Sequence, residues 1–309
     1  INVKMRHNIM TNFNLSVGIT ETFMRAVRSG SNYSLINPRT GKAVGMIPAR
    51  VVFNSIVAAA WHTGEPGLLF LDRINKRHSC PHLGSIEATS PCAEMPLLGY
   101  EGSAEGSVNL MSMLDDDNIF NWERLKQTVR EEVHFLDNVF DVTTFPSKYF
   151  ERATLQTRKV GLGVMGFADL LYSQGIAYDS EEALTWAKKI MSCVQQQAHQ
   201  MSEKLAIQRG DFPAWKDSKF AEDKKRRRNA TLTAISPTGT MSMIADVSSS
   251  LEPNFALSYA RKAMDGRDLL YVNTPFKGAL RKEGLYSETI IRSISNQGSI
   301  QHMSELPKK

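Results

Sequence analysis

The sequence has few cysteines and no long hydrophobic run. Its 309 residues include three cysteines, and their odd number and wide spacing argue against a disulfide framework and are typical of a reducing compartment. No apolar run reaches the length of a membrane span, and the opening residues 1–4 lack the pattern of a signal peptide. We therefore expect a soluble, cytoplasmic protein that does not associate with membranes.

Aromatic residues are missing from the one strongly basic segment, Lys224 to Arg228. The formal net charge is +5, and this run of five basic residues supplies much of the excess. The segment could bind nucleic acid, act as a nuclear localisation signal or bind an anionic partner. Nucleic-acid sites, however, usually interleave basic and aromatic side chains. A solvated loop or helix end is the favoured interpretation, and we predict no direct nucleic-acid binding.

Short apolar segments alternate with helical patterns along the chain, which predicts an α/β architecture. Strands are predicted at 14–19, 67–71 (buried), 107–110 and 231–235. Helices are predicted at 21–28 after a Thr20 cap, at 50–62 before Gly64, at 122–141, and from 179–182 to Gly210. No stretch has the composition of a linker, so residues 1–309 are predicted to form a single domain.

Two prolines, Pro91 and Pro96, bracket the most informative segment of the chain. Each proline blocks helix and favours extended backbone in the residue before it. Alternate side chains of an extended segment share one face, so Ser90, Cys92 and Glu94 are predicted to point the same way. A thiol beside a carboxylate suits sulfur chemistry assisted by a base. The alternative is a buried structural cysteine near a surface glutamate.

The segment 236–242 is a candidate anion site. It follows a predicted strand and is rich in hydroxyl groups. Gly239 permits close approach of backbone N–H groups to a ligand, and a helix that begins near Thr240 would direct its N-terminus at an anion. A substrate phosphate would fit there. An ordinary turn with a helix cap is the alternative.

Three further patterns could indicate a nucleotide site, a metal site or a protease dyad, and each has little support. Residues 161–166 match the dinucleotide fingerprint G-x-G-x-x-G, but the preceding residues are not an apolar strand and Asp179 starts a helix, so close helix packing through small residues is preferred. A nicotinamide-dependent dehydrogenase stays the distant alternative. His78, Cys80 and His82 lack a fourth ligand, so no metal site is predicted. A Cys–His protease dyad has no local support.

Seven segments in a fixed order resemble the catalytic subunit of ribonucleotide reductase, most closely its adenosylcobalamin-dependent class. They are Phe-Asn-Leu-Ser-Val (13–17), Ser-Pro-Cys-Ala-Glu-Met-Pro-Leu-Leu (90–98), Gly-Ser-Val-Asn-Leu (106–110), Phe-Leu-Asp-Asn-Val (135–139), Arg-Lys-Val-Gly-Leu-Gly-Val-Met-Gly-Phe-Ala-Asp (158–169), Ser-Pro-Thr-Gly-Thr-Met-Ser (236–242) and Ser-Ser-Ser-Leu-Glu-Pro (248–253). The resemblance implies part of a ten-stranded α/β barrel with an internal finger loop, without its N-terminal part and last strands. It also implies that 161–166 is a helix segment.

The resemblance further implies the chemistry. Cys92, at the loop tip, would form a thiyl radical and abstract the substrate's 3′ hydrogen, Glu94 would accept the 3′-hydroxyl proton, and the 2′-hydroxyl would leave as water. Pro237, Thr238, Gly239, Thr240 and Met241 would hold the phosphates. The implied function is reduction of ribonucleotides to deoxyribonucleotides for DNA synthesis, with adenosylcobalamin as radical source and a dithiol as reductant.

Two departures from the family pattern concern the active site. Ser90 stands where the family has an asparagine that binds the sugar hydroxyls, and Ser103 aligns with a cysteine of the reducing dithiol. A hydroxyl cannot form a disulfide, so normal dithiol turnover is doubtful, and Cys80 is a weak candidate for a substitute reductant. The alternative function is a catalytically degenerate homologue, or half of a split reductase that needs an N-terminal partner chain. A homodimer is also possible.

Overall fold

The computed structural model describes residues 1–5, 9–262, 268–304 and 306–307, without the side chains of 261–262 and 268–269. It is a mixed α/β structure, as predicted, and its described strands pair two by two. The chain divides into two compact units. The first comprises 1–103, 143–159 and 209–230, and the second 104–142, 160–208 and 231–309. The single-domain organisation, the closed ten-stranded barrel and the finger loop stay predictions.

The strands are β1 (Ser16–Ile19), β2 (Asn32–Ile36), β3 (Ala43–Pro48), β4 (Gly67–Phe70), β5 (Ala88–Thr89), β6 (Pro96–Leu97), β7 (Ser103–Asn109), β8 (Lys159–Met165), β9 (Ser258–Lys262) and β10 (Asp268–Val272). The helices are α1 (Glu21–Ser29), α2 (Ala49–Thr63), α3 (Leu71–Arg77), α4 (Trp122–Val142), α5 (Lys148–Thr157), α6 (Phe167–Ser173), α7 (Glu181–Arg209), α8 (Lys219–Glu222), α9 (Gly239–Ala245), α10 (Thr274–Lys282) and α11 (Glu288–Gln297).

Capping residues define the first helices of the first unit, as the sequence predicts. The Thr20 hydroxyl accepts a hydrogen bond from the Phe23 N–H at 3.1 Å, and α1 ends at Gly30 in the left-handed conformation. Helix α2 likewise ends at left-handed Gly64. The two helices pack with β1 around a small core that includes Ile19, Phe23 and Ile56. Local capping chemistry therefore accounts for this part of the fold.

Strand β4 pairs in parallel with β1, from Ser16 opposite Gly67 to Ile19 opposite Phe70. The strand itself was predicted, but its burial was not predicted correctly: Leu68 is 38% exposed and Phe70 42%. The apolar composition of a strand is compatible with its burial but does not establish that the strand is buried. The antiparallel hairpin of β2 and β3 was not foreseen.

The glycine-rich segment of the second unit is a buried strand. β8 covers residues 161–165 and every residue in it is buried, so the prediction of a helix segment was wrong. A Cβ atom on Gly163 would lie 3.0 Å from the Ala234 carbonyl oxygen and 3.1 Å from the Ser107 hydroxyl. Glycine is needed there because neighbouring segments approach closely on both sides. Gly166, at φ 80°, then begins α6.

The nucleotide fingerprint also fails in this structure. In the dinucleotide fold the glycines line the turn after the strand, whereas Gly161 and Gly163 lie inside β8. The strand predicted at 231–235 is reduced to one parallel bridge, Leu162 with Thr233. The two bonds that form this bridge, from Leu162 N–H to the Leu232 carbonyl at 2.9 Å and from Ala234 N–H to the Leu162 carbonyl at 3.1 Å, hold the segment beside β8.

Helices α4 and α7 form where the sequence predicts them, and each buries one side. Leu125, Val129 and Val133 of α4 are buried, and the Ser180 hydroxyl caps α7 by accepting from the Ala183 N–H at 3.1 Å. In the first turn of α7 Ala183 is buried, whereas Leu184 is 52% exposed. Within the described ranges, no helix is both long and apolar enough to cross a bilayer.

Buried Asp169 organises the segment that follows α9 in the second unit. One carboxylate oxygen accepts from the Ser248 N–H at 2.7 Å. The other accepts from the side-chain amides of Asn254, at 2.9 Å, and Asn273, at 2.7 Å. The Asp169 N–H in turn donates to the Ser248 hydroxyl at 3.2 Å. One side chain of α6 therefore ties together residues from two distant stretches of the chain.

Candidate active site

The segment between Pro91 and Pro96 forms a tight turn. Strands β5 and β6 pair antiparallel with Thr89 opposite Pro96, and the connection closes through a bond from Ser90 N–H to the Met95 carbonyl at 2.9 Å and one from Ala93 N–H to the Ser90 carbonyl at 3.0 Å. Ala93 adopts the left-handed conformation at φ 67°. The prediction of extended backbone was therefore wrong, and the shared face derived from it for positions 90, 92 and 94 loses its basis.

Ser90 lies at the base of this turn. It is buried, and its hydroxyl oxygen accepts a hydrogen bond from the Met95 N–H at 2.8 Å. The serine therefore closes the turn through its side chain as well as its backbone. Its hydroxyl hydrogen stays available to an acceptor such as a sugar oxygen.

Cys92 lies at the exposed tip of the turn. Its thiol is free and exposed, and the side-chain amide of Asn14 lies 3.5 Å from the sulfur. The same amide donates to the Pro91 carbonyl at 2.8 Å, which fixes its position beside the tip. Asn14 belongs to the segment before β1, 78 residues from Cys92. Local sequence gave no signal that it would reach the site.

Glu94 lies on the far side of the turn and is half-buried. Its Oε2 atom is inaccessible to solvent and has no hydrogen-bond partner among the described residues. A buried carboxylate oxygen without a donor is uncommon, because such an atom loses its hydration without compensation. The Glu94 carboxylate therefore has one oxygen whose hydrogen-bonding capacity is not used by the described residues.

The predicted anion segment begins α9, as expected. Thr238 has φ 52° and directly precedes Gly239, the first residue of the helix. Its carbonyl accepts from the Ser242 N–H at 2.8 Å and its hydroxyl accepts from the Ser250 N–H at 2.8 Å. Gly239, Thr240 and Met241 are exposed, and nothing lies within 4 Å of a Cβ built on Gly239. A ligand can therefore approach this backbone.

The predicted site residues are distributed over both units. Ser90, Cys92 and Glu94 belong to the first unit, whereas Pro237, Thr238, Gly239, Thr240 and Met241 belong to the second. Within each unit the residues are neighbours along one turn. Their use as one active site stays a prediction.

Cys80 differs sharply from Cys92. It is fully buried in a small core with Phe212 and Ala230, and burial raises the pKa of its thiol. Both properties oppose thiolate chemistry and so disfavour Cys80 as a substitute reductant. No group of three histidine, cysteine or acidic side chains suited to a metal ion occurs in the part of the chain that the structure describes.

The three thiols should react with iodoacetamide in a fixed order. Cys92 is expected to react first, then half-buried Cys193, whose thiol pKa is also raised by burial. Cys80 should react more than about 100-fold more slowly than Cys92, because a buried thiol must wait for local opening that costs a few kcal/mol. Peptide mass spectrometry over time measures the three rates. Equal rates for Cys80 and Cys92 would contradict the burial described here, and Cys92→Ser should remove only the fastest phase.

Comparison with known proteins identifies the family. The chain matches the family described as "Ribonucleotide reductase, barrel domain" over residues 1–227 and 223–309. It therefore belongs to the ribonucleotide reductase barrel-domain family, and the resemblance derived from its motifs is confirmed.

Its relatives include vitamin B12-dependent ribonucleoside-diphosphate reductases. The protein from Mycobacterium tuberculosis is 46% identical over 298 residues, which cover 96% of this chain and 42% of that protein. The protein from Thermoplasma acidophilum is 42% identical over 297 residues, which cover 96% of this chain and 39% of that protein. The chain thus spans about two fifths of the length of these relatives.

A solved structure shares the fold. The Actinobacillus ureae class Id ribonucleotide reductase alpha subunit superposes with a TM-score of 0.75 at 23% sequence identity, covering 99% of this chain and 54% of that one. At this identity the likeness concerns the fold alone.

Proposed function

We propose that this chain is a catalytic-core segment of a ribonucleotide reductase and reduces ribonucleotides to deoxyribonucleotides by a radical route. The observation that carries the proposal is the turn at 91–93: it presents an exposed thiol, Cys92, two residues before a carboxylate with a buried oxygen that has no partner among the described residues. The comparisons support the proposal, because relatives of this chain are vitamin B12-dependent ribonucleoside-diphosphate reductases.

Cys92 would carry the radical. As a thiyl radical it abstracts the hydrogen atom from C3′ of the ribose, which restores the thiol and leaves an unpaired electron on the sugar. Its exposure at the tip gives both the radical source and the substrate access to sulfur. The Asn14 amide, 3.5 Å away, helps to hold the sulfur in one place.

Glu94 would act as general base. Glu94 would remove the proton of the 3′-hydroxyl, and the dithiol reductant would donate the proton with which the neighbouring 2′-hydroxyl leaves as water. The Glu94 oxygen has no competing donor among the described residues. The Ser90 hydroxyl, already an acceptor for Met95, would donate its hydrogen to a sugar oxygen. The exposed backbone at Gly239, Thr240 and Met241 would receive the phosphates, with Pro237 and Thr238 shaping the turn before it.

Adenosylcobalamin is the proposed cofactor. When bound, it would supply the initial radical by homolysis of its cobalt–carbon bond. The residues present fit such a group in one respect: Cys92 offers an exposed S–H, and the Asn14 side-chain amide, which donates to the Pro91 carbonyl, lies 3.5 Å from the sulfur. The chain's own task there is to hold that S–H in place.

The reducing electrons would come from a dithiol outside the described site. Ser103 occupies the start of β7, at the position where the family resemblance implies a cysteine, and Cys80 is buried. We therefore propose that the chain works with an external dithiol, in the cytoplasm, as a homodimer or with an N-terminal partner chain. In this assembly the chain would contribute to the ten-stranded barrel, with Cys92 at the tip of the finger loop.

A second candidate is a degenerate homologue or half of a split reductase. The serines at positions 90 and 103, where the family resemblance implies an asparagine and a cysteine, favour it.

An anaerobic turnover assay separates these possibilities. The chain is incubated with a ribonucleoside diphosphate, adenosylcobalamin and a small dithiol, and deoxyribonucleotide is quantified by chromatography. Product from the chain alone is the expected result. Product only after addition of an N-terminal partner chain supports the split form, and Ser103→Cys should then raise turnover. If neither mixture gives product, the reductase proposal fails.

A further inference from the structure

A buried ion pair lies behind the Cys92 turn in the first unit. The Lys159 ammonium is 2.7 Å from a carboxylate oxygen of Glu101, and the two side chains are 2% and 0% exposed. The Thr157 hydroxyl donates to the other oxygen of Glu101. Sequence reasoning singled out neither charge, because 58 residues separate the two partners.

Both partners of the pair also bond the backbone of the strand that leaves the turn. The Lys159 ammonium donates to the Pro96 carbonyl at 2.9 Å, and the Glu101 carboxylate accepts from the Leu98 N–H at 2.7 Å. Strands β5 and β6 are the two arms of the stem that carries the turn: Pro96 pairs with Thr89, and Leu97 pairs with Ala88. The ion pair therefore holds one arm of the stem, and that arm holds the other.

A buried ion pair contributes little net free energy to the stability of the fold. Desolvation of both ions offsets most of their attraction, and apolar replacements of similar volume are often neutral or stabilising. Apart from the Thr157 bond, the hydrogen bonds described for this pair go to the backbone of one segment, 96–98, so the pair acts chiefly on the placement of that segment. Here the stem carries Cys92 and Glu94.

We infer that Lys159 and Glu101 are positioning residues that hold the Cys92–Glu94 turn in its reactive geometry. The inference deepens the proposed function and rests on it for the link to turnover. His78 lies in the same buried region: its Nε2 atom has no hydrogen-bond partner among the described residues, and burial, with the nearby Lys159 charge, lowers its pKa. A neutral imidazole there avoids repulsion with the ammonium.

Hydrogen exchange at the turn tests the inference without any need for activity. In Glu101→Leu/Lys159→Met both charges are gone and the volume is kept, so the unit should still fold. Exchange of the amides of 90–95 should rise about 10- to 100-fold, as expected for the loss of charge-assisted hydrogen bonds. Amides of α1 and α2 should change less than about twofold.

A second double variant and one control variant make the exchange result interpretable. Glu101→Gln/Lys159→Met retains an acceptor for Leu98 and should fold if the first variant does not. Lys225→Met removes the ammonium of an exposed pair, 3.0 Å from Asp223, and should leave the turn unchanged. Unchanged exchange at 90–95 in a folded double variant overturns the inference. So does loss of the whole fold in both double variants, since the pair would then support the entire unit.

Turnover gives the second readout. In the preparation that reduces ribonucleotides, the double variant should lower kcat about 100-fold, the scale for a misplaced reacting group. KM should change less than about twofold, because the phosphate segment is untouched. A changed KM with an unchanged kcat contradicts a positioning role. If the wild-type chain is inactive in every mixture, the proposed function fails, while the exchange result still decides whether the pair positions the turn.

Discussion

Replacement of Cys92 with serine is expected to abolish ribonucleotide reduction, with a loss of more than about 10⁴-fold in turnover, the scale reached when the central reacting group of an enzyme is removed. The physical reason is that an O–H bond is stronger than an S–H bond, so the serine hydroxyl does not take part in reversible hydrogen-atom transfer. Deoxyribonucleotide formation, measured in whichever assembly the wild type is active, checks this result.

Two features make the Cys92→Ser test specific. Serine is smaller than cysteine but similar in shape, and the side chain is exposed at a turn tip, so the free energy of unfolding should change by less than about 0.5 kcal/mol. Cys193→Ser, at a half-buried position on α7, is the matched control and should keep activity. Turnover by the Cys92→Ser variant would remove Cys92 from the mechanism.

Replacement of Asp169 with alanine should lower the free energy of unfolding by about 3–5 kcal/mol, because buried donors left without an acceptor cost about 1–3 kcal/mol each. Three donors depend on this carboxylate: the Ser248 N–H and the side-chain amides of Asn254 and Asn273. Urea denaturation followed by circular dichroism measures the change.

The matched control is Asp116→Ala, at an exposed position in the loop before α4. Its effect should stay below about 0.5 kcal/mol. Hydrogen exchange gives the local readout: amides of α6 and of 248–254 should lose protection in the Asp169 variant before those of α7. A change no larger than that of the control would show that the Asp169 network contributes little to the fold.

Those parts of the fold that depend on neighbours in the chain were predictable. Thr20 caps α1 through its own hydroxyl, and Gly30 and Gly64 end their helices by adopting a conformation that glycine reaches easily. Strand β8 was misjudged because its apolar and glycine pattern suits either a strand or a buried helix. Contacts with residues 231–234, remote in sequence, decide in favour of the strand.

In the candidate site, too, some features depend on the local sequence and others on residues that are remote in sequence. Cys92 and Glu94 could be chosen as candidates from their residue types alone, and the start of a helix after Thr238 could be predicted from the local sequence. The shape of the 90–95 segment could not, because two backbone bonds and the Ser90 hydroxyl outweigh the extended preference that the prolines favour. Asn14 and the Glu101–Lys159 pair reach the turn from segments far away in sequence, and only tertiary structure reveals them.

The left-handed alanine at the turn has one more consequence. A residue with a Cβ atom adopts that conformation at a cost of about 1–2 kcal/mol, and Ala93 holds φ 67° between Cys92 and Glu94. Folding of the stem meets this cost before any ligand arrives. In the proposed reductase the substrate would then not need to spend binding energy on arranging sulfur and carboxylate, and the strain stored in one methyl-bearing residue would become preorganisation for catalysis.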